Sequence, residues 1–302
     1  MRTSATSPIK PLHEARYYTM ENHEGQSMAH CHLCPHECII SEGHTGRCRS
    51  RLCQDNRLWA VSYDEPCALA IDPVEKKPLL HYHPGTECLS VACTGCNLRC
   101  LNCQNSSISQ ASPWQTEHAH WTPEDLVELC LDRKLPAIAY TYTEPFTWIE
   151  YMYDTARLAH EHGIHNILVS AGYVNEEPLR DLIPLIDAAN IDLKSLDDEI
   201  YHRLNGASLA PVQRTLLLLR DSPVWLEITN LLIDGWNTDE SHLRSLCHWL
   251  ASNGFADVPV HFSRCFPAYR LTHLRPTPLA SMELARDIAH EEGIKWVHLG
   301  NV

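Results

Sequence analysis

From residue 89 onward, short apolar runs alternate with stretches in which apolar residues recur every three or four positions. The runs fall at residues 89–92, 137–141, 166–170, 190–193, 225–233, 258–263 and 295–299. The helical patterns between them cover 123–133, 145–162, 176–188, 211–220, 239–253 and 279–292. Thr122-Pro123, Asn175-Glu176 and Thr238-Asp239 supply capping side chains and first-turn residues suited to helix starts. Regular strand–helix alternation predicts a parallel sheet with right-handed crossovers. Six such units predict an α/β fold, a partial (β/α)6 TIM-like barrel, with its chemistry at the C-terminal ends of the strands.

The upstream third has a different texture. Residues 1–30 read as a polar, poorly ordered lead-in, 31–87 as a small Cys-rich N-terminal module, and 88–302 as the barrel. Within the module only 58–63, 69–71 and 79–82 show short apolar alternations. So short a stretch buries little core, so bound metal is expected to hold it together.

Composition narrows the options. Hydrophobic residues make up 44% of the 302 and charged residues 21%, as in an ordinary globular chain. The 24 Lys and Arg against 38 Asp and Glu leave a net charge of −14, which argues against general nucleic-acid binding. Apolar runs such as 215–219 fall far short of the roughly 18 residues that cross a bilayer. The first residues show no apolar signal region, so no membrane partner and a cytoplasmic location are expected. In that reducing setting the 14 cysteines, 11 of them between Cys31 and Cys103, read as metal ligands more than disulfides. Cys130, Cys247 and Cys265 lie apart and read as small core residues.

Two cysteine groups stand out. Cys96, Cys100 and Cys103 follow the first barrel strand with CxxxCxxC spacing. Three thiolates on one loop can hold one face of an iron–sulfur cubane and leave an iron open, as a reactive site requires. A zinc loop completed by Cys93 is the alternative. Upstream, Cys31, Cys34, Cys38 and Cys48 supply four thiolates interleaved with Gly43 and Gly46. Such a set closes either a tetrahedral zinc site or an auxiliary [4Fe–4S] cluster.

The triad, with Asp72-Pro-Val-Glu75-Lys76-Lys77, Thr143-Glu144-Pro145, Asp192-Leu-Lys194, His261-Phe-Ser-Arg264 and Leu299-Gly-Asn301, resembles the radical S-adenosylmethionine (SAM) superfamily. It is most similar to the AmmeMemoRadiSam-system enzymes, relatives of pyruvate formate-lyase activating enzyme. The resemblance implies a [4Fe–4S] cluster on Cys96, Cys100 and Cys103, whose open iron chelates SAM, and reductive SAM cleavage to a 5′-deoxyadenosyl radical. It further implies SAM contacts at Asn105, Thr143, Glu144, Ser170, Asp192 and Lys194, with Thr229 and His261 at the adenosine. A reductase or flavodoxin-type electron donor is the implied partner, and the substrate, small molecule or protein, is unspecified. Glycyl-radical-enzyme activation and a non-catalytic Fe–S or zinc scaffold are the alternatives. Asn102 replaces the aromatic residue many relatives carry before the third cysteine, and Ala171-Gly172 stands where relatives have Asn-Gly. Both departures bear on the adenine pocket. The resemblance also implies a role for 72–78 at the barrel mouth, in contact with substrate or partner.

Overall fold

The computed structural model describes residues 12–302. Its centre is an eight-stranded sheet of β7 (Pro66–Pro73), β8 (Glu87–Cys93), β9 (Ala137–Tyr140), β10 (His165–Ser170), β11 (Ala188–Asp192), β12 (Trp225–Leu232), β13 (Val260–Arg264) and β14 (Val297–Gly300). The strands lie in chain order across the sheet. From β8 to β14 every neighbouring pair is parallel. Each of the seven apolar runs is one of these strands. Both faces of such a sheet are covered, which is why β9 (Ala137, Ile138, Ala139, Tyr140) is buried at every position and reads as a continuous apolar run.

Six helices make the crossovers: α1 (Pro123–Arg133), α2 (Ile149–Glu161), α3 (Glu176–Leu182), α4 (Leu209–Arg220), α5 (Glu240–Ser252) and α6 (Leu279–Glu291). The first begins as its sequence predicts. The Thr122 hydroxyl accepts from the Asp125 N–H, and the Asp125 carboxylate accepts from the Thr122 N–H at 2.8 Å. That reciprocal pair satisfies two amides that the first helical turn leaves open. The chain is therefore an α/β protein of six strand–helix units closed by a seventh parallel strand.

The upstream region departs from expectation in three places. Part of the 1–30 lead-in lies outside the described residues, but the rest is built structure. It contributes β1 (His13–Glu14), β2 (Tyr18–His23) and β3 (Gln26–Cys31). β2 and β3 pair antiparallel, and β3 pairs in turn with β4 (Cys38–Ser41). Most positions of β2 and β3 are half-buried or exposed, so the apolar alternation that would have marked them is faint. A second small sheet joins β1, β6 (Arg57–Ala60) and β5 (Arg51–Gln54). The second departure is β7, which pairs antiparallel with β8 and so belongs to the central sheet, not to the Cys-rich module. The third is 79–82, which forms no strand; Leu79 is buried, and the Leu80 and His81 amides donate to the Glu227 carboxylate instead.

The small sheets are fastened to the barrel by a buried ion pair. Arg51 and Glu150 are 0% and 1% exposed and meet at 2.7 Å. Glu150 also accepts the Arg16 amide, and Arg51 donates to the Arg16 carbonyl.

Candidate metal centre and cofactor cavity

At the C-terminal ends of the strands lies a cavity of ≈ 690 Å³. Its wall includes Cys96, Cys100 and Cys103 from the loop after β8, and Asn105 just beyond them. Thr143 and Glu144 follow β9, Ser170 ends β10, Asp192 and Lys194 end β11, Thr229 lies on β12 and His261 on β13. All eleven side chains proposed from sequence for the cluster and for SAM thus share one wall. Cys93 does not; it packs in the hydrophobic core, leaving three cysteines on the cavity wall among the described residues.

Each of the three sulfurs has its own polar neighbour. The Leu98 amide donates to Cys96 Sγ at 3.4 Å, Asn205 Nδ2 donates to Cys100 Sγ at 3.2 Å, and Ser109 Oγ lies 3.1 Å from Cys103 Sγ. Burial pushes the Cys96 thiol well up, with the Glu144 carboxylate adding to it, and burial also raises Cys100 against the pull of Lys194. Free Cys96 and Cys100 thiols would stay protonated here; the hydrogen bonds donated to their sulfurs suit thiolates that have given their protons up to a metal. The Asn102 Oδ1 and Thr229 Oγ1 atoms are buried on this wall without a partner among the described residues. Buried polar atoms left unpaired at a cavity wall call for a hydrogen-bond partner from outside the chain. The donor set therefore fits a three-cysteine iron–sulfur cluster with a polar co-ligand beside it.

Glu144 is 1% exposed and fully engaged. Its carboxylate accepts from Ser170 Oγ at 2.7 Å, from the Ala171 amide at 2.9 Å and from the Phe146 amide at 3.3 Å. Burial nonetheless raises it to about 7, against those hydrogen bonds and the more distant Lys194. Lys194 donates to Asp192 at 2.8 Å. Burial works against its ammonium, but Asp192 and the Cys100 sulfur outweigh burial and hold the lysine charged. Two other residues turn out to be tethers. Thr143 Oγ1 donates to the Cys93 carbonyl at 2.7 Å, and Asn105 Nδ2 to the Tyr142 carbonyl at 2.8 Å. Together they bind the β8 end and cluster loop to the end of β9. Ser170 serves Glu144 directly.

A parallel-sheet protein with a three-cysteine loop at its first strand end has recognisable kin. The radical SAM superfamily profile matches residues 90–247. The chain belongs to the radical SAM superfamily. An uncharacterized protein of Methanocaldococcus jannaschii is 42% identical over 96% of this chain and 86% of its own. Pyruvate formate-lyase 1-activating enzyme of Escherichia coli K12 is 24% identical over 67% of this chain and 87% of its own. Among solved structures, Streptococcus suis SuiB bound to S-adenosylmethionine superposes with a TM-score of 0.54 at 11% identity, covering 68% of this chain and 48% of that one. This last likeness shows the fold alone. The radical SAM chain is an enzyme, resembling pyruvate formate-lyase activases, whose family cofactors are a [4Fe–4S] cluster and SAM. Among the described residues, no helix is long and apolar enough to cross a membrane.

Several residues on or behind the cavity wall went unseen in the sequence. Glu227, 0% exposed, holds His261 Nε2 at 2.6 Å, fixing the imidazole with Nδ1 as its remaining nitrogen. His298 stacks on His261 at 5.1 Å and meets His81 Nε2 to Nε2 at 2.8 Å. A buried Glu in a strand has no local sequence signature; only the β12–β13 register, Thr229 beside His261, places it there. Within 72–85, Asp72 gathers Lys77 Nζ at 2.9 Å, Ser90 Oγ at 2.9 Å and the Tyr142 hydroxyl. Glu75 and Lys76 lie on the cavity wall beside it. Tyr142 itself sits at φ 64°, a costly left-handed conformation for an aromatic residue.

The cluster loop depends on one glycine. Gly95 has φ +104°, and a Cβ there would lie 2.1 Å from Ser50 Oγ and 2.5 Å from the Cys48 carbonyl. Gly95→Ala is expected to cost at least about 2 kcal/mol. Thermal unfolding of the variant, with its iron content, checks this; an unchanged midpoint and full iron would contradict the packing described.

Proposed function

We propose that the chain binds a [4Fe–4S] cluster through Cys96, Cys100 and Cys103 and reductively cleaves SAM to begin radical chemistry on a substrate still to be identified. The observation that supports this most is the shared wall: three polar-flanked sulfurs, a buried carboxylate and an Asp–Lys pair around ≈ 690 Å³. When bound, the cluster supplies the electron that breaks a sulfonium C–S bond. The protein's part is to bind and orient. Glu144, held by Ser170 and the Ala171 amide, would receive the SAM ammonium in a charge-assisted contact. Lys194 would face the SAM carboxylate, with Asp192 keeping it charged. Thr229 and the Glu227-oriented His261 would meet the adenosine. Anaerobic EPR tests the reading: the signal of the reduced cluster is expected to change when SAM is added, and an unaltered signal would count against it.

Glu144 adds a pH dependence. SAM needs the ionised carboxylate, and burial raises Glu144 to about 7. Below about pH 7 each unit is expected to weaken SAM binding up to about tenfold, because binding must first remove a proton. Calorimetric titration across pH 5.5–8 checks this, and Glu144→Gln should bind weakly with a flat profile.

Glycyl-radical activation of another protein is the second reading, favoured by the 24% identity to pyruvate formate-lyase 1-activating enzyme. A glycine-centred EPR doublet on a co-incubated protein would support it. A flavodoxin-type one-electron donor and a reducing cytoplasm belong to the same proposal, as does a second metal centre, zinc or Fe–S, at Cys31, Cys34, Cys38 and Cys48.

A further inference from the structure

The four N-terminal cysteines surround a small cavity of their own, walled by Cys31, Cys34, Cys38 and Cys48 together with Arg51 and Asn97. The fold brings them together in a simple way. Antiparallel pairing of β3 with β4 sets Cys31 directly opposite Cys38. Cys34 lies on the turn between those strands, and Cys48 arrives on the loop before β5. Cys31, Cys34 and Cys48 are buried, at 6%, 9% and 8% exposure.

Two observations distinguish zinc from iron–sulfur here. Zinc bound tetrahedrally at about 2.3 Å from each sulfur draws the sulfurs to about 3.8 Å from one another. Among the described residues, no three of these sulfurs lie within 4.8 Å of one another. The Cys96, Cys100 and Cys103 sulfurs share that wider spread. The second observation is Arg51. It is fully buried on this wall, and its Nε–H has no partner among the described residues, the four cysteine sulfurs included. A zinc site would bring no new acceptor to it. A cubane brings inorganic sulfides into the space between the thiolates, and those accept hydrogen bonds.

We propose that Cys31, Cys34, Cys38 and Cys48 hold a second [4Fe–4S] cluster, placed next to the barrel centre to pass it an electron. One stretch of chain separates the two cavities. Cys96 lines the large one and its neighbour Asn97 the small one. Behind them, His36 Nε2 lies 2.9 Å from the Asn97 carbonyl, and Ser50 Oγ donates to the Thr94 carbonyl at 2.9 Å. The Cys48 carbonyl packs on Gly95, where even a methyl group would not fit. Arg49 and Arg99 each stand within electrostatic reach of both Cys48 and Cys96. In the electron step an external one-electron carrier is oxidised by one electron and the N-terminal cluster reduced by one. That cluster then returns to its starting state as the barrel cluster is reduced. The metal assignment stands on its own residues, whereas the electron step rests on the radical SAM reading of Cys96, Cys100 and Cys103.

Metal analysis of the anaerobically reconstituted full chain tests the assignment. The expected result is about eight iron and about eight acid-labile sulfide per chain with no zinc, falling to about four iron in Cys34→Ser and in Cys100→Ala. About four iron with one zinc, about four iron alone, or a Cys34→Ser variant that keeps all the wild-type iron overturns it. For the electron step, a photoreduced flavin carrier should reduce the barrel cluster of Cys34→Ser at least tenfold more slowly than that of the wild type; an equal rate overturns that step. An eight-iron protein that leaves SAM intact would strike the barrel reading only. A four-iron, one-zinc protein that cleaves SAM would strike the N-terminal cluster only.

Discussion

Cys100→Ala is expected to lower reductive SAM cleavage at least about a thousandfold, equivalent to ~4 kcal/mol of transition-state stabilisation. Cys100 is the middle ligand of the loop, its sulfur takes the Asn205 amide at 3.2 Å, and it stands within electrostatic reach of Lys194. Without it the remaining two sulfurs cannot hold the iron that must accept and deliver the electron, so the loss reflects missing cofactor and not weaker binding of SAM. The fold should survive, because the strands and helices around the loop are fastened by contacts that do not involve this thiol. The Arg99 and Leu101 amides, for example, donate to the Asn205 and Leu204 carbonyls. Product assay together with circular dichroism separates the two. A Cys100→Ala protein with native helix content and wild-type turnover would contradict the assignment.

The second large effect concerns stability. Glu150→Leu is expected to destabilise the protein by about 3–5 kcal/mol, since it leaves the Arg51 guanidinium buried without its counter-charge. Burial opposes the arginine's charge, and Glu150, with Cys31 and Cys48 adding to it, more than offsets this. The Arg16 amide would lose its acceptor as well. The partner change, Arg51→Met with Glu150→Leu, should recover much of the loss, because two apolar residues of similar size leave no charge stranded. Denaturant unfolding of both single variants and the double variant measures the coupling. A double variant no more stable than Glu150→Leu alone would show that the pair is not what joins the small sheets to the barrel. The same variants bear on the N-terminal centre, since Arg51 lies on its wall.

The barrel was largely legible because its signals are local. β9 reads as an apolar run of strand length, Thr122-Pro123 opens α1, and the Cys96–Cys103 loop sits where a strand end must be. The eight proposed SAM contacts share one cavity: Thr143, Glu144, Ser170, Asp192 and Lys194 come from strand ends that parallel strands put together, Asn105 from the cluster loop, and Thr229 and His261 from within β12 and β13. The upstream region was less legible. The β2–β3 hairpin has weak alternation and buries only Ala29 and Cys31, at the end of β3, so Tyr18 opposite Cys31 could not be inferred from spacing. β7 looked like part of a turn-rich module because its partner, β8, lies across 13 intervening residues and pairing leaves no local mark. Glu227, His81 and His298 were missed because a buried carboxylate and paired imidazoles are defined by neighbours distant in the chain. Conversely, Ser170 and Thr143 were assigned to SAM on position, and the structure has their hydroxyls occupied by Glu144 and the Cys93 carbonyl.

One measurement bears most directly on the central claim: mass-spectrometric analysis of SAM after anaerobic incubation with reconstituted, reduced protein. 5′-Deoxyadenosine is expected to accumulate with the wild type and to be absent with Cys100→Ala. Intact SAM in the presence of a fully reduced wild-type cluster would contradict it.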